Sequence, residues 1–208
     1  SYERVVNSVY VGHIGSYDRF STQVNLRHDN IKDRESRNTY LIGLGYSLNQ
    51  AWKVTATKST AFNAPTGGQL VDASQGGNSR LISESSNSYE AGLQYSTNDN
   101  MYRAVYFDTK TRDAIVYAST PPYALSNIGE VRNKGIETTA RGKLYGFTLK
   151  GTLVIQDPWN VTETKQLARR AKEYGLIDVS KMFNGYDVGA RVYSSGARTD
   201  GATANTLA

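Results

Sequence analysis

Hydrophobic and polar residues alternate with a period of two through most of this chain. The clearest segments are residues 40–48, 52–57, 89–95, 147–155 and 186–192. In each segment the large apolar side chains fall on one face, and glycine or polar side chains fall on the other. This period is typical of β-strands with one apolar and one polar face. The chain is therefore predicted to be an all-β protein.

Short turns alternate with longer polar loops between these segments. Short turns are predicted at residues 16–19, 49–50, 98–100, 145–146 and 184–185, and long loops near 30–37, 63–87, 119–127, 157–167 and from 198 onward. The Asn184-Gly185 pair favours a type I′ hairpin. The result is an antiparallel up-and-down meander of about ten strands, with tight turns at one end and long loops at the other. That asymmetry is typical of a transmembrane β-barrel.

A β-sandwich shows the same alternation, so the positions of the aromatic residues are needed to separate the two folds. Aromatic pairs bracket the five short turns in order: Tyr17 and Phe20, Tyr46 and Trp52, Tyr95 and Tyr102, Tyr145 and Phe147, Phe183 and Tyr186. Aromatic side chains at one height form a girdle at a membrane interface. A sandwich would place them nearer the strand centres. The pattern therefore favours a barrel with its apolar face toward lipid.

Residues 161–175 interrupt the alternation. Thr162 is a possible N-cap, and the following residues have high helix propensity. Because the segment lies between two strands of the meander, we favour a loop that runs into a strand at about Arg169 over a helix.

Composition excludes several classes of protein. Among 208 residues there is no cysteine and there are two histidines, His13 and His28, so disulfide scaffolds and thiolate chemistry are excluded and metal sites are disfavoured. No apolar run is long enough for a transmembrane helix. The 24 basic residues exceed the 19 acidic ones, but they are scattered singly, which favours solvated charge over nucleic-acid binding. No catalytic motif or cofactor-binding motif is recognisable.

Four segments resemble TonB-dependent outer-membrane receptors. Residues 59–66, STAFNAPT, followed by Gln69-Leu70, resemble the family segment xxAFRAPTxxQLY. Residues 83–92, SESSNSYEAG, resemble PExSxxYExG, with Ser83 in place of proline. Residues 127–137, NIGEVRNKGIE, are similar to NxxxxxxxGxE. Residues 167–172, LARRAK, resemble an LxRRAK element associated with the cobalamin-receptor branch.

The resemblance implies a 22-stranded barrel in the bacterial outer membrane, surrounding an N-terminal plug that is driven through a TonB box. Residues 1–208 are expected to form part of this barrel domain. Neither the plug nor the last strands is recognised in the sequence. The implied partners are outer-membrane lipid, TonB through the plug, and a large scarce ligand such as cobalamin or a ferric siderophore.

Two groups of residues are candidates for function. The long loops are expected to line an extracellular vestibule, where Tyr123, Asn127, Trp159 and Arg198 are candidate ligand contacts. Charged residues on the polar faces of the strands are expected to point into the lumen and contact the plug: Lys53, Glu90, Glu137, Lys150 and Arg191. No metal ligand set is predicted, since residues 29–33 lack the glycine and glutamate of a calcium loop.

The sequence leaves three functions to compare. The first is gated uptake of a large nutrient, with cobalamin preferred and a ferric siderophore or haem as alternatives. The second is a passive porin-like barrel without a plug. The third, an enzyme barrel, requires a catalytic pair that only His13 and His28 could complete. Transport without bond-making is therefore the favoured function.

Overall fold

The structure, a computed structural model, describes residues 3–117, 124–199 and 206–207. Its main strands are β1 (Val6–Tyr17), β2 (Phe20–Ile31), β3 (Glu35–Ser47), β4 (Trp52–Asn63), β5 (Glu84–Ser96), β6 (Met101–Tyr117), β7 (Leu125–Leu144), β8 (Phe147–Asn160), β10 (Glu173–Phe183) and β11 (Tyr186–Ser195). The minor elements are α1 (Gly67–Val71), a 3-10 turn (Ala73–Gln75), β9 (Lys165–Gln166), β12 (Arg198–Thr199) and β13 (Thr206–Leu207).

The ten main strands form one antiparallel sheet in chain order, so the predicted up-and-down meander is confirmed. The two-residue β9 pairs with the end of β8 and makes an eleventh strand of the sheet. Within the described residues, β1 and β11 are the two edges of the sheet. The fold is thus a continuous antiparallel β-wall of the kind that forms part of a larger barrel.

The five tight turns are confirmed, and two of them are type I′ hairpins by their backbone angles. At Asn184-Gly185 φ is 48° and 85°, and at Tyr145-Gly146 it is 51° and 79°. Type I′ turns need a positive φ at both central residues, which Asn and Gly tolerate best. Their twist matches that of the flanking strands, so the ladder begins directly at Phe183 and Tyr186.

Several predicted boundaries at the long-loop end are wrong. Between β2 and β3 the long loop near residues 30–37 is a turn of residues 32–34, because Asn30 and Ile31 already pair with Ser36 and Glu35. In the 161–175 segment the loop prediction is right, since the two-residue β9 is the only regular element described before residue 173. The strand that follows begins at Glu173, however, and not near Arg169.

The apolar residues are mostly exposed, which separates a barrel wall from a sandwich. On one face Leu93, Ile136 and Ile155 expose 43%, 50% and 56% of their surface. The second sheet among the described residues is the pair of two-residue strands β12 and β13, which is too small to cover this face. On the opposite face Val154 is only 2% exposed, among longer polar neighbours. An apolar side that is left uncovered is the lipid-facing side of a membrane barrel.

The aromatic girdle at the tight-turn end slopes across the ladder. Phe20 packs on Tyr46 with ring centroids 4.8 Å apart, and Trp52 packs on Tyr95 at 4.9 Å. Following the register from the Phe20 row across the sheet leads to Gly175, eight residues before the aromatic Phe183. This stagger is what tilted strands of a barrel require for aromatics to stay at one membrane height.

Candidate functional site

The polar face of the sheet carries all five residues that were predicted to face the lumen. On the last strands Lys150 lies directly opposite Asp178, and Asp178 lies opposite Arg191. The Arg191 guanidinium Nε is 2.5 Å from an Asp178 carboxylate oxygen. Because directly opposed residues share a face, these three charges form one row across β8, β10 and β11.

The other three predicted lumen residues lie on the same face by register. Glu90 and Lys53 alternate with the apolar residues of β5 and β4, and Glu137 pairs opposite the buried Val154. All five residues therefore share one face of the sheet, and their orientation toward a lumen remains a prediction. Their contact with a plug remains a prediction.

Sequence reasoning missed a buried ionic cluster on this polar face. Asp29 on β2 is only 2% exposed, and the Arg27 Nη2 donates to its carboxylate at 2.7 Å. Ser8 on β1 donates to the same carboxylate at 2.5 Å. Arg27 and Asp29 are two residues apart, a spacing that places both on one face, but the contribution of Ser8 depends on strand pairing. The cluster fixes β1 on β2 near the long-loop end.

The segment 59–70 folds into a loop anchor, which explains why its residue pattern is distinctive. Thr66 caps α1: its hydroxyl accepts from the Gln69 amide at 3.2 Å, and the Gln69 side chain accepts from the Thr66 amide at 2.8 Å. This reciprocal capping box stabilises a helix of only five residues. The buried Leu70 follows directly, and the carbonyl of the buried Pro65 accepts from Arg4.

A small hydrophobic cluster lies at the end of the loop that joins β4 to β5. Leu70, Leu81 and Leu125 are buried together, and Ile115 packs against them. Polar contacts surround this cluster: Arg34 donates to the Leu81 carbonyl at 2.7 Å. Helix α1, the 3-10 turn and this cluster were not predicted from the sequence. The 64–83 loop is therefore a packed structure and not an open polar connection.

The adjoining SESSNSYEAG segment ties neighbouring strands together at the same end. The Glu84 carboxylate accepts from the Asn63 side chain on β4 at 2.8 Å and from the Ile115 backbone amide on β6 at 2.7 Å. Ser83 is fully buried and its hydroxyl donates to Glu35. Glu84 thus spans three strands, and Ser83 makes a hydrogen bond that the proline of the family pattern has no donor to make.

Asn127 was predicted in a loop, but it lies on β7 and uses its side-chain amide to hold the 64–83 loop. Its Oδ1 accepts from the Ile82 amide at 3.0 Å, and its Nδ2 donates to the Ile82 carbonyl at 3.0 Å and to the Asp113 carbonyl at 2.5 Å. These contacts are structural. A direct contact of Asn127 with ligand remains a prediction.

Replacing Asn127 with alanine should loosen the 64–83 loop without unfolding the sheet. Three hydrogen bonds are lost and water replaces part of them, so we expect a local cost of about 1–2 kcal/mol. Hydrogen exchange of the Ile82 amide should accelerate about tenfold. Asn98→Ala, at an exposed turn on the opposite end, is the matched control and should leave this amide unchanged. An unchanged rate in Asn127→Ala would show that the loop is held elsewhere.

The other predicted ligand contacts occupy different places. Trp159 lies on β8, opposite Arg132, on the same face as Ile155, so its predicted loop position is wrong. The strand extends beyond the predicted boundary because residues 157–160 continue to pair with β7. Arg198 is exposed in the short β12, after the last main strand. Tyr123 lies outside the described residues.

Neither histidine lies in a metal site in the part of the chain that the structure describes. The His28 Nδ1 is 2.6 Å from the Asn38 side-chain oxygen on the neighbouring strand. Among residues 3–117, 124–199 and 206–207 there is no group of three or more His, Asp or Glu side chains placed to hold an ion. None of the helices described here has the length and apolar character to cross a membrane.

The sheet topology, the exposed apolar face, the sloping aromatic girdle and the polar inner face together define the wall of an outer-membrane β-barrel. The chain belongs to the TonB-dependent receptor family: the family model described as "TonB dependent receptor-like, beta-barrel" matches residues 1–207. The resemblance drawn from the four motifs is thereby confirmed. The protein is accordingly located in the bacterial outer membrane.

Curated relatives include vitamin B12 transporters called BtuB. The protein from Photobacterium profundum is 27% identical over 213 residues, covering 98% of this chain and 34% of the relative. The protein from Vibrio cholerae is 31% identical over 124 residues, covering 60% of this chain and 20% of the relative. The chain therefore spans about a fifth to a third of the length of these relatives.

Solved receptor structures share the fold. A mutant of the ferric enterobactin receptor PfeA from Pseudomonas aeruginosa superimposes with a TM-score of 0.78 at 17% identity, covering 98% of this chain and 36% of that one. The FrpB iron transporter from Neisseria meningitidis gives 0.71 at 19% identity, covering 96% and 34%. At these identities the similarity establishes the architecture of the wall and not a ligand.

Proposed function

We propose that the intact protein imports cobalamin across the outer membrane. The observation that carries this proposal is the similarity to a vitamin B12 transporter over 98% of the chain. The family is one of receptors and transporters, so we infer a function of binding and gated passage that makes no bonds. Energy from TonB, acting through a plug, is part of the proposal.

The polar face supports a role in contact with such a plug. Lys150, Asp178 and Arg191 present alternating charges along one row, and two of the three belong to a cross-strand ion pair. A polar surface of this kind offers hydrogen bonds to a domain seated in the lumen, while it leaves that domain free to move. We propose that Lys53, Glu90 and Glu137 contribute to the same contact surface.

A ferric siderophore is the alternative ligand, favoured by the receptors that share the fold. The named structural relatives include a ferric enterobactin receptor and an iron transporter. Their identities of 17% and 19% are lower than the 27% to the vitamin B12 transporter, which is the reason to place cobalamin first.

Equilibrium titration of the intact protein with cyanocobalamin and with ferric enterobactin separates the two ligands. We expect tight, saturable binding of cyanocobalamin. Arg198→Ala should weaken it by about 1–3 kcal/mol, since an exposed arginine beside the vestibule can hydrogen-bond an amide-rich ligand. Arg19→Ala, in a tight turn at the opposite end of the sheet, is the control and should bind like the unaltered protein.

Two results would contradict this assignment. Tight binding of the siderophore with none of cyanocobalamin would replace the ligand and keep the receptor function. An absence of saturable binding for both, together with free diffusion of small solutes, would favour the passive barrel. Equal affinity of the Arg198→Ala variant and the unaltered protein would remove Arg198 from the contact set.

A further inference from the structure

The lipid-facing side of the sheet changes from apolar to charged side chains along one row of the ladder. Lys58, Tyr89, Asp108, Lys134 and Asp157 lie directly opposite one another across β4 to β8. One row nearer the tight turns lie Ala56, Ala91, Tyr106, Ile136 and Ile155 on the same face. Because hydrocarbon does not tolerate this density of charge, the charged row marks the level of the lipid headgroups.

This outer charged belt continues toward the long loops with more cations than carboxylates. Its members on β4 to β8 are Lys58, Lys110, Arg112, Arg132, Lys134, Asp108, Glu130 and Asp157. Five are basic and three are acidic. The belt therefore carries a net positive charge on a surface that faces the outer leaflet.

The carboxylates of the outer charged belt are already neutralised by other cations. The Arg132 guanidinium pairs with Asp108, the Lys110 ammonium lies 2.6 Å from a Glu130 oxygen, and the Lys172 ammonium lies 3.8 Å from an Asp157 oxygen. Lys134 lies between Asp108 and Asp157 in the ladder, but it forms no ion pair within the described part of the chain. Lys58 also forms no ion pair among the described residues, but its ammonium lies over the Tyr40 and Tyr89 rings, 6.0 and 5.2 Å from their centroids. The Lys134 ammonium is therefore the better placed of the two to meet an external anion.

Lys134 lines a recess on the outer face of β7 and β8. The recess has a volume of about 340 Å³ and is lined by Arg132, Lys134, Asp157, Trp159 and Val161. Two cations and an indole ring therefore meet at the headgroup level. A tryptophan at this height is the usual side chain for a membrane interface, since its ring is apolar and its N–H is a hydrogen-bond donor.

A separate apolar groove lies nearer the membrane centre, and residues of β7 and β8 line both it and the recess. The groove has a volume of about 710 Å³, and its floor includes the small residues Ala104, Thr138, Ala140 and Gly151. Thr138 and Leu153, which line it, are each four residues from Lys134 and Asp157, about 13 Å along the strands. The exposed Ile136 and Ile155 fill the interval.

We propose that this face binds a phosphorylated lipid of the outer leaflet, with its phosphate at Lys134 and an acyl chain in the groove. The alignment of a cationic recess with an apolar groove on β7 and β8 is what selects a lipid over a free anion. A free phosphate would use the recess alone. The proposal depends on the outer-membrane location and is independent of the ligand that the barrel imports.

Native mass spectrometry of the intact protein, extracted in mild detergent and titrated with lipid A, tests this site. Lipid A carries two phosphates and several acyl chains, and a chemically dephosphorylated lipid A carries the same chains alone. We expect the bisphosphorylated lipid to bind more tightly. Lys134→Gln should weaken its binding about fivefold and leave the dephosphorylated lipid unaffected, because one headgroup contact by a lysine is lost.

Lys143→Gln is the matched control, because it removes the same charge from the opposite face of the same strand, close to the tight turn. It should bind lipid A like the unaltered protein. Equal binding by Lys134→Gln and the unaltered protein, or an equal loss in Lys143→Gln, would overturn the proposal. Complete displacement of lipid A by millimolar inorganic phosphate would also overturn it in favour of a free-anion site. The lipid titration contains no cobalamin. A negative result would therefore contradict the lipid site and leave the proposed transport function untouched.

Discussion

Replacing Gly135 with alanine should destabilise the sheet by about 3 kcal/mol or more. A Cβ at this position would lie 2.3 Å from the Ile155 carbonyl oxygen, 2.8 Å from the Gln156 Cα and 2.9 Å from the Phe107 ring. Two of the three atoms belong to the backbone of the paired strand, so the clash is relieved only by moving β8 away from β7. The expected result is a lower denaturant midpoint for the intact protein in detergent.

Gly151→Ala is the matched control for this substitution. Gly151 lies on β8 and its added Cβ would meet only the Leu176 carbonyl oxygen, at 3.8 Å, which is an ordinary contact. Its denaturant midpoint should stay within about 1 kcal/mol of the unaltered protein. Similar losses in both variants would mean that glycine is needed generally in these strands, and that the close approach at Gly135 has no particular weight. Gly135 is the glycine of the family pattern NxxxxxxxGxE, and the close approach of β8 is a steric reason for a glycine at that position.

Replacing Leu81 with alanine should cost about 2–5 kcal/mol at the loop anchor, because it empties the middle of the hydrophobic cluster. Leu81 is 1% exposed and packs with Leu70 and Leu125. Since these residues hold the 64–83 loop on the sheet, the loop is expected to open before the strands unfold. Limited proteolysis of the intact protein should show rapid cleavage between residues 64 and 83.

Ile82→Ala provides the comparison for Leu81, since its side chain is the next along the chain and is 50% exposed. It removes the same number of carbon atoms from an exposed position and should leave the cleavage rate nearly unchanged. If Leu81→Ala is cleaved no faster than Ile82→Ala, the cluster does not hold the loop. The polar contacts of Arg34 and Asn127 would then be the principal restraints.

Each face of the sheet has its own candidate function. Plug contact is proposed for the polar face, and lipid binding is proposed for the outer charged belt. Trp159 belongs to the second face by register, although the sequence placed it among the ligand contacts. Successive residues of a strand point to opposite faces, so a shift of one residue moves a side chain from the lumen to the membrane. Assigning a residue such as Trp159 to a face therefore requires knowing whether the strand reaches it.

Much of the loop structure was hidden from the sequence. The segment from Thr66 to Leu81 has the composition of a polar loop, yet three leucines that are far apart in the chain bury one another. The capping box at Thr66 and Gln69 could have been found, because its spacing is local. The contact of Asn127 with Ile82 could not, because β5 and β6 lie between these two residues in the chain. The contact of Ser8 with Asp29 depends on the register of the β1–β2 hairpin.

By itself the sequence determined the strand alternation, the tight turns, the girdle positions and the shared polar face of Lys53, Glu90, Glu137, Lys150 and Arg191. These features follow from a two-residue period and from turn chemistry, which are properties of neighbouring residues. Only the tertiary structure decided where β2, β7 and β8 end, that Trp159 shares the face of Ile155, and that Lys134 lies beside a recess with no ion pair to another described residue. Those outcomes depend on ladder register and on side chains brought together from different strands, and a local pattern does not contain that information.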